Sequence, residues 1–292
     1  MKLFIENPYA PVEELKLPLF DQKGIQVFLK REDLSHPFIS GNKWRKLKYH
    51  LIDATENNKN HLVTFGGAYS NHLLAAASAG ACYHFKTSGI VRGEKVENPV
   101  LKLCEWFGMN LIFVSRTDYK NKALLCEKYF GSNPDTYFIS EGGASDLGEQ
   151  GVREILNDLN QSYDALFCSV GTGCTFKGLV QGVVERNLKT VVYGISVLKG
   201  AESLNDLIEP VNGNKARLFH QFHEGGYAKT TPELFKFIRQ FSAQTGILLD
   251  QVYEGKMMNG LVKLIESNAF EPGSKILALH NGGLSGMLSL ML

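Results

Sequence analysis

Apolar and polar positions alternate in blocks along this chain. Short apolar runs read as strands at residues 61–65, 88–91, 110–114 and 136–139. Each is followed by a stretch with apolar residues three or four apart, the spacing of one helix face, at 71–80, 99–107, 119–129 and 148–159. Further apolar runs begin near Tyr163, Val191 and Lys275, and a helical pattern covers 176–184. This alternation predicts an α/β protein with a mostly parallel sheet. In such sheets ligands bind beyond the carboxyl ends of the strands, where the chain turns into the helices. No low-complexity linker or internal repeat interrupts the pattern.

Three of those turns carry candidate chemistry. The first is Ser40-Gly41-Asn42-Lys43-Trp44-Arg45-Lys46-Leu47, downstream of Lys30-Arg31-Glu32-Asp33. Lys43 lies where a turn opens an amphipathic stretch, which puts its amine at a pocket rim. A lysine whose pKa is lowered by burial can form a Schiff base with an aldehyde. An exposed lysine at a helix start is the commoner meaning of Gly-Asn-Lys alone. The second turn is Ser169-Val170-Gly171-Thr172-Gly173-Cys174-Thr175, between an apolar run and a helical pattern. Glycines at a strand-to-helix turn let backbone N–H groups approach an anion. It is not a P-loop, because the Gly-Lys-Ser/Thr order is absent. It fails as a dinucleotide fingerprint too: Phe176 occupies the third glycine position, and residues 193–198 contain no acid for a ribose. What remains is a small phosphate cup. The third turn, Gly66-Gly67-Ala68-Tyr69-Ser70-Asn71-His72, offers an N-cap at Ser70 or Asn71 and an anion site for a substrate carboxylate. A reactive lysine together with a monophosphate cup meets the requirements of pyridoxal phosphate.

Composition narrows the classes further. Apolar residues make up 44% of the 292 and charged ones 21%, as expected of a soluble globular chain with a sizeable core. Net charge is +1 with no basic block, so neither nucleic acid nor a membrane surface is an expected partner. The apolar runs are far shorter than a bilayer span, and the first ten residues carry no signal-peptide core. Cys82, Cys104, Cys126, Cys168 and Cys174 form no CxxC pair, so free thiols in a reducing cytoplasm are expected, with no metal.

Taken together, these segments resemble the 1-aminocyclopropane-1-carboxylate deaminase and D-cysteine desulfhydrase family. The matching residues are Gly41-Asn42-Lys43-x-Arg45-Lys46-Leu47, Gly66-Gly67-x-x-Ser70-Asn71-His72 and Gly171-Thr172-Gly173-x-Thr175. Glu224-Gly225-Gly226-Tyr227, Asp250-x-Val252-Tyr253-Glu254-Gly255-Lys256 and His280-x-Gly282-Gly283 match as well, in the same order. The resemblance implies the tryptophan-synthase-β-like fold (fold type II of pyridoxal-phosphate enzymes). Two α/β domains would hold the coenzyme between them, and members are usually homodimers. It implies a larger domain of residues 1–45 and 141–292 with a smaller one, 46–140, inserted. Lys43 would be the lysine that carries the coenzyme, and Lys46 would reach its phosphate. Gly171, Thr172, Gly173, Cys174 and Thr175 would hold that phosphate through backbone amides. Asn71 would touch the phenolic oxygen and Glu254 would face the pyridine nitrogen. Ser70, Asn71 and His72 would hold the substrate carboxylate, with Ser70 also a proton carrier. Tyr227 and Tyr253 match two active-site tyrosines.

The implied activity is deamination of a small amino acid. For 1-aminocyclopropane-1-carboxylate the products are 2-oxobutyrate and ammonia, and a phenol such as Tyr253 needs a lowered pKa from cationic neighbours to open the ring. For D-cysteine they are pyruvate, sulfide and ammonia. Glu254 matches the deaminases, whereas the desulfhydrases usually carry a hydroxyl residue there. Asn281 matches neither the Leu of one group nor the Thr of the other, and Ser40 replaces a usual Gly. A catalytically silent coenzyme-binding protein would keep Lys43 but need no poised tyrosines.

Overall fold

The computed structural model describes residues 8–208 and 215–290. Its strands form two sheets. The larger runs in the order β1 (Val12–Leu15), β2 (Gln26–Lys30), β10 (Lys275–Leu279), β7 (Ala165–Val170), β8 (Val191–Ser196) and β9 (Ala216–Phe219). Only the β1–β2 pair is antiparallel. The smaller sheet is parallel throughout, in the order β5 (Met109–Val114), β4 (Lys86–Arg92), β3 (His61–Gly67) and β6 (Thr136–Ile139).

Both sheets are covered on two faces, which is why their strands read as continuous apolar runs. In β10, Ile276 and Ala278 face α1 (Pro18–Lys23), α9 (Pro232–Thr245) and α10 (Glu254–Glu266), packing with Phe20, Ile238 and Met257. Leu277 and Leu279 face the opposite way, toward Val152 of α6 (Asp146–Arg153) and Leu179 of α7 (Cys174–Glu185). In the smaller sheet, Leu62 packs under α2 (Asn42–Glu56) and α3 (Asn71–Tyr83). Val91 packs under α3 and α4 (Pro99–Trp106). Val63, Phe65 and Ile90 turn to α5 (Lys122–Phe130). A short helix, α8 (Leu204–Ile208), sends Leu204 to the edge of the larger sheet's core.

The helices begin where side chains can cap them. Ser70, Asn98, Asn121, Ser145 and Thr231 each accept a hydrogen bond from the backbone N–H three residues on. Two expected helices shift for this reason. The one expected at 119–129 starts at Lys122, because Asn121 is the cap and Asp118–Lys120 form a separate tight turn. The one expected at 148–159 starts at Asp146 behind the Ser145 cap and gives way to a 3₁₀ turn after Arg153. The ends of β3 and β7 both open onto one cavity of about 700 Å³.

Candidate active site

Lys43 sits in the first turn of α2, and the approach to that turn is tightly made. Gly41 has φ +67°, and a Cβ there would lie 1.6 Å from the Asn281 carbonyl oxygen, so only glycine fits. Arg45, two residues beyond Lys43, is buried and fixes the helix. Its guanidinium donates to both oxygens of Glu32, at 3.0 and 2.9 Å, and to Asp158 at 2.5 Å. Buried Lys30 completes the group, 3.5 Å from Asp158 and bonded to the Ala10 carbonyl. Two cations therefore face two carboxylates, which relieves the cost of burying any one of them.

The Lys43 amine donates to the Asn42 side-chain oxygen at 2.7 Å. The same Asn42 donates through Nδ2 to Thr175 Oγ1 at 2.9 Å. The lysine turn and the glycine cup are thus joined by one side chain and share the cavity. Burial, and then the nearby charge of Lys46, pull the Lys43 pKa down to about 7; Glu254 and Asp250 act the other way. Lys46 also lines the cavity, with Nζ donating to the Gly142 carbonyl at 3.3 Å. Beside it, α7 starts at Gly173, whose φ is +86° and which supplies no side-chain cap. The first N–H groups of that helix are left for an outside acceptor. Cys174 is buried in this first turn, its Sγ 3.8 Å from the Gly143 carbonyl.

Across the cavity, the start of α10 carries Glu254. Asp250 builds this start by accepting the N–H groups of Val252, Tyr253 and Glu254 at 2.8, 2.8 and 3.0 Å. Glu254 is 1% exposed. Ser169, at the end of β7, donates to its Oε1 at 2.8 Å, while Oε2 is buried with no partner among the described residues. Burial and the neighbouring Asp250 push the Glu254 pKa up to about 8. Asn281 lies close enough to moderate that shift, but both its polar side-chain atoms are also buried without hydrogen-bond geometry to protein. Two unsatisfied polar side chains in one cavity call for a polar ligand.

The third turn forms the remaining wall. Ser70 Oγ accepts from Leu73 N at 3.2 Å, which leaves its own hydrogen free. Asn71 accepts from Ser285 Oγ at 2.7 Å through Oδ1, so Nδ2 is the end left to donate. His72 is held back against β3: Thr64 Oγ1 donates to Ile139 O, so it accepts from His72 Nε2 at 2.8 Å. That leaves Nδ1 without a partner, and burial with the two lysines keeps the ring neutral. Tyr253 and Tyr227 meet edge to face with centroids 6.1 Å apart, and both line the cavity. The lowered pKa that ring opening needs of a phenol is not present at Tyr253. Burial, Tyr227 and the carboxylates Asp250 and Glu141 hold its hydroxyl well above the usual phenol range. Its charged neighbours are anions, so the phenol keeps its proton at neutral pH.

The model of the family "Pyridoxal-phosphate dependent enzyme" matches residues 5–282. The chain belongs to this family. A bifunctional D-cysteine desulfhydrase/1-aminocyclopropane-1-carboxylate deaminase of Arabidopsis thaliana is 31% identical over 95% of this chain and 77% of its own length. A putative 1-aminocyclopropane-1-carboxylate deaminase of Thermotoga maritima is 29% identical, covering 99% of this chain and 98% of itself. A crystal structure of an ACC deaminase homologue superposes with a TM-score of 0.84 at 28% identity, over 97% of this chain and 94% of that one. The chain is therefore a pyridoxal-phosphate dependent enzyme with the α/β, type II fold of its family.

The residues fit that coenzyme on their own geometry. An amine of lowered pKa, an uncapped helix start and an orphaned buried carboxylate oxygen border one cavity. Every residue expected at the site lines the cavity except Cys174, which is buried in the first turn of α7. Sequence reasoning assigned no role to Glu32, Asp158, Asp250, Ser169 or Ser285. Asp250 had a usable signal, an Asx residue four before a helix start. Among the described residues no helix is long and apolar enough to cross a membrane, and no cluster of three or more His, Cys, Asp or Glu could hold a metal.

Proposed function

We propose that this pyridoxal-phosphate enzyme deaminates a small amino acid, with 1-aminocyclopropane-1-carboxylate as the preferred substrate. The observation that carries this reading is Glu254, a fully buried carboxylate with one oxygen held by Ser169 and the other free. When bound, the coenzyme supplies an electron sink for charge developing on the substrate carbon. With its raised pKa, Glu254 would bring its own proton to the ring nitrogen and, as the carboxylate, hold it there, which deepens that sink. Lys43 is the residue proposed to carry the coenzyme. Lys46 and the backbone of Gly171, Thr172, Gly173, Cys174 and Thr175 would hold the phosphate, whose charge would offset the repulsion between the two lysines. Asn71 would donate to the phenolic oxygen through Nδ2. Ser70 would donate its free hydroxyl hydrogen to the substrate carboxylate, beside Asn71 and the wall formed by His72. Tyr227 and Tyr253 would close the site and exclude water. Substrate and one water would leave as 2-oxobutyrate and ammonia.

A specific observation favours a second reading, elimination from D-cysteine to pyruvate, sulfide and ammonia. Ring opening asks a base or nucleophile of a phenol, yet Tyr253 keeps its proton. Elimination removes the α-proton and expels the β-sulfur as a thiolate; an amine with a pKa of about 7, as at Lys43, suits the proton removal. In that reading the Tyr253 hydroxyl donates a proton or a hydrogen bond. Ammonia, sulfide and keto-acid release from both substrates tests the proposal. It predicts 2-oxobutyrate from the cyclopropane amino acid at a higher kcat/KM than pyruvate from D-cysteine. The reverse order supports the second reading, and no product from either contradicts both.

We also propose that the chain divides by sheet, into residues 1–45 with 141–292 and the inserted 46–140. Strand membership supports this, with α2 bridging the two parts. A homodimer working in the cytoplasm completes the proposal; gel filtration with light scattering tests the dimer.

A further inference from the structure

The segment that delivers Tyr227 to the cavity has an unusual backbone. Four of the five residues from 224 to 228 have positive φ: Glu224 at +52°, Gly225 at +95°, Gly226 at +114° and Ala228 at +54°. Glycine adopts such angles freely, but Glu224 and Ala228 carry a Cβ and adopt them at a cost. A conformation of this kind persists only where its surroundings impose it.

The imposing group is Lys256, 0% exposed in the first turn of α10. Its Nζ donates to the His223 carbonyl at 2.8 Å and to the Gly226 carbonyl at 2.7 Å, bracketing the first three left-handed residues, 224–226. Glu224 is tied down as well. It accepts from Thr231 Oγ1 at 2.8 Å, from Asn259 Nδ2 at 3.1 Å and from Lys263 at 3.5 Å. Tyr227 is the exception in this otherwise pinned turn. The residue is 47% exposed, and its ring rests on Tyr253, three residues before Lys256. An ammonium buried this deeply costs desolvation, and a fold keeps such a group where it satisfies otherwise strained or unpaired carbonyls.

We propose that Lys256 is a positioning residue: its ammonium clamps the left-handed turn to the start of α10 and so fixes Tyr227 against Tyr253 at the cavity. Tyr253, Glu254 and Lys256 then form one rigid unit, with Glu254 directed into the cavity and Lys256 directed to the turn beside it. The catalytic meaning of the clamp rests on the deaminase reading above; its structural part does not.

Two measurements on the full-length, coenzyme-loaded protein test this, with Lys256→Met as the variant. The first is the rate of trypsin cleavage after Lys229, an exposed residue three past Gly226. Cleavage is expected to rise about tenfold or more relative to global unfolding, because the freed turn opens locally. The second is a double-mutant cycle with Tyr227→Phe on whichever substrate is turned over. Lys256→Met is expected to lower kcat/KM about tenfold or more in the parent and less than about threefold in the Tyr227→Phe background, with the visible absorption of bound coenzyme unchanged. Should Lys256→Met fail to fold, Lys256→Gln, which keeps one donor for a carbonyl, is expected to give intermediate cleavage. An unchanged cleavage rate, or fully additive losses in the cycle, overturns the proposal. Cleavage that rises without any turnover leaves the clamp standing and counts against the deaminase reading alone.

Discussion

Two helices point their first turns at the same cavity, and they begin differently. α3 is capped by its own Ser70, which accepts the Leu73 N–H. α7 opens on Gly173, in a left-handed conformation and without any side-chain cap. A helix that caps itself has spent part of its N-terminal donor set; one that does not has kept it for a ligand. The partners next to each end fit this difference. Near α7 lie two lysines, and the pKa of one is lowered by burial and then by the other. At α3 the first-turn side chains that face the cavity are neutral donors, the Ser70 hydroxyl and the Asn71 amide, with the same two lysines felt only through the neutral His72 ring. The α7 end suits a permanently charged phosphate, and the α3 end suits a carboxylate that must come and go.

Exchanging one residue at each end sharpens the contrast. Gly173→Ala puts a Cβ where φ is +86° and is expected to weaken pyridoxal phosphate binding about tenfold or more, with substrate KM little changed once the site is loaded. Equilibrium titration of coenzyme absorbance checks it. Between the two helix ends stands Glu254, and its substitution is expected to show in the pH dependence of stability. In the coenzyme-free protein its pKa of about 8 lies above the ordinary 4.5. Its contribution to stability is therefore complete below about pH 4.5 and is lost as pH rises toward 8. The stability of the parent minus that of Glu254→Gln should fall across this window, by at most ~1.4 kcal/mol per pH unit, in urea titrations. A flat difference would show that the carboxyl titrates normally. Ser70→Ala is the smallest change. It should cost about 1 kcal/mol of stability through the lost cap and raise substrate KM, leaving coenzyme affinity intact. If coenzyme affinity falls instead, the two helix ends do not divide their ligands as described.

The residues legible in the sequence are those whose chemistry is local. Lys43, Ser70 and the Gly171–Gly173 bend each have a commoner meaning alone and stand out only as a set of turns, and the alternation of runs points to the layered fold. What escaped depends on distant partners. Arg45 finds Glu32 13 residues away and Asp158 113 residues away, and nothing in either segment marks the other. Ser169 meets Glu254 across 85 residues. The raised pKa of Tyr253 escapes the sequence as well, because its causes are burial and the distant neighbours Tyr227, Asp250 and Glu141. β1, β2 and β9 with α1, α9 and α10 lie outside the stretches in which the strand-helix alternation was traced. β1, for example, is Val-Glu-Glu-Leu, two polar residues in four, at the edge of the sheet.

In the proposed site, one small coenzyme joins the amine of the Gly-Asn-Lys turn to the uncapped start of α7. Borohydride reduction of the protein loaded with pyridoxal phosphate, followed by peptide mapping, tests it most directly. A single phosphopyridoxyl group, on Lys43, is expected. Stoichiometric label on Lys46, Lys256 or any other lysine, or none at all, would contradict it.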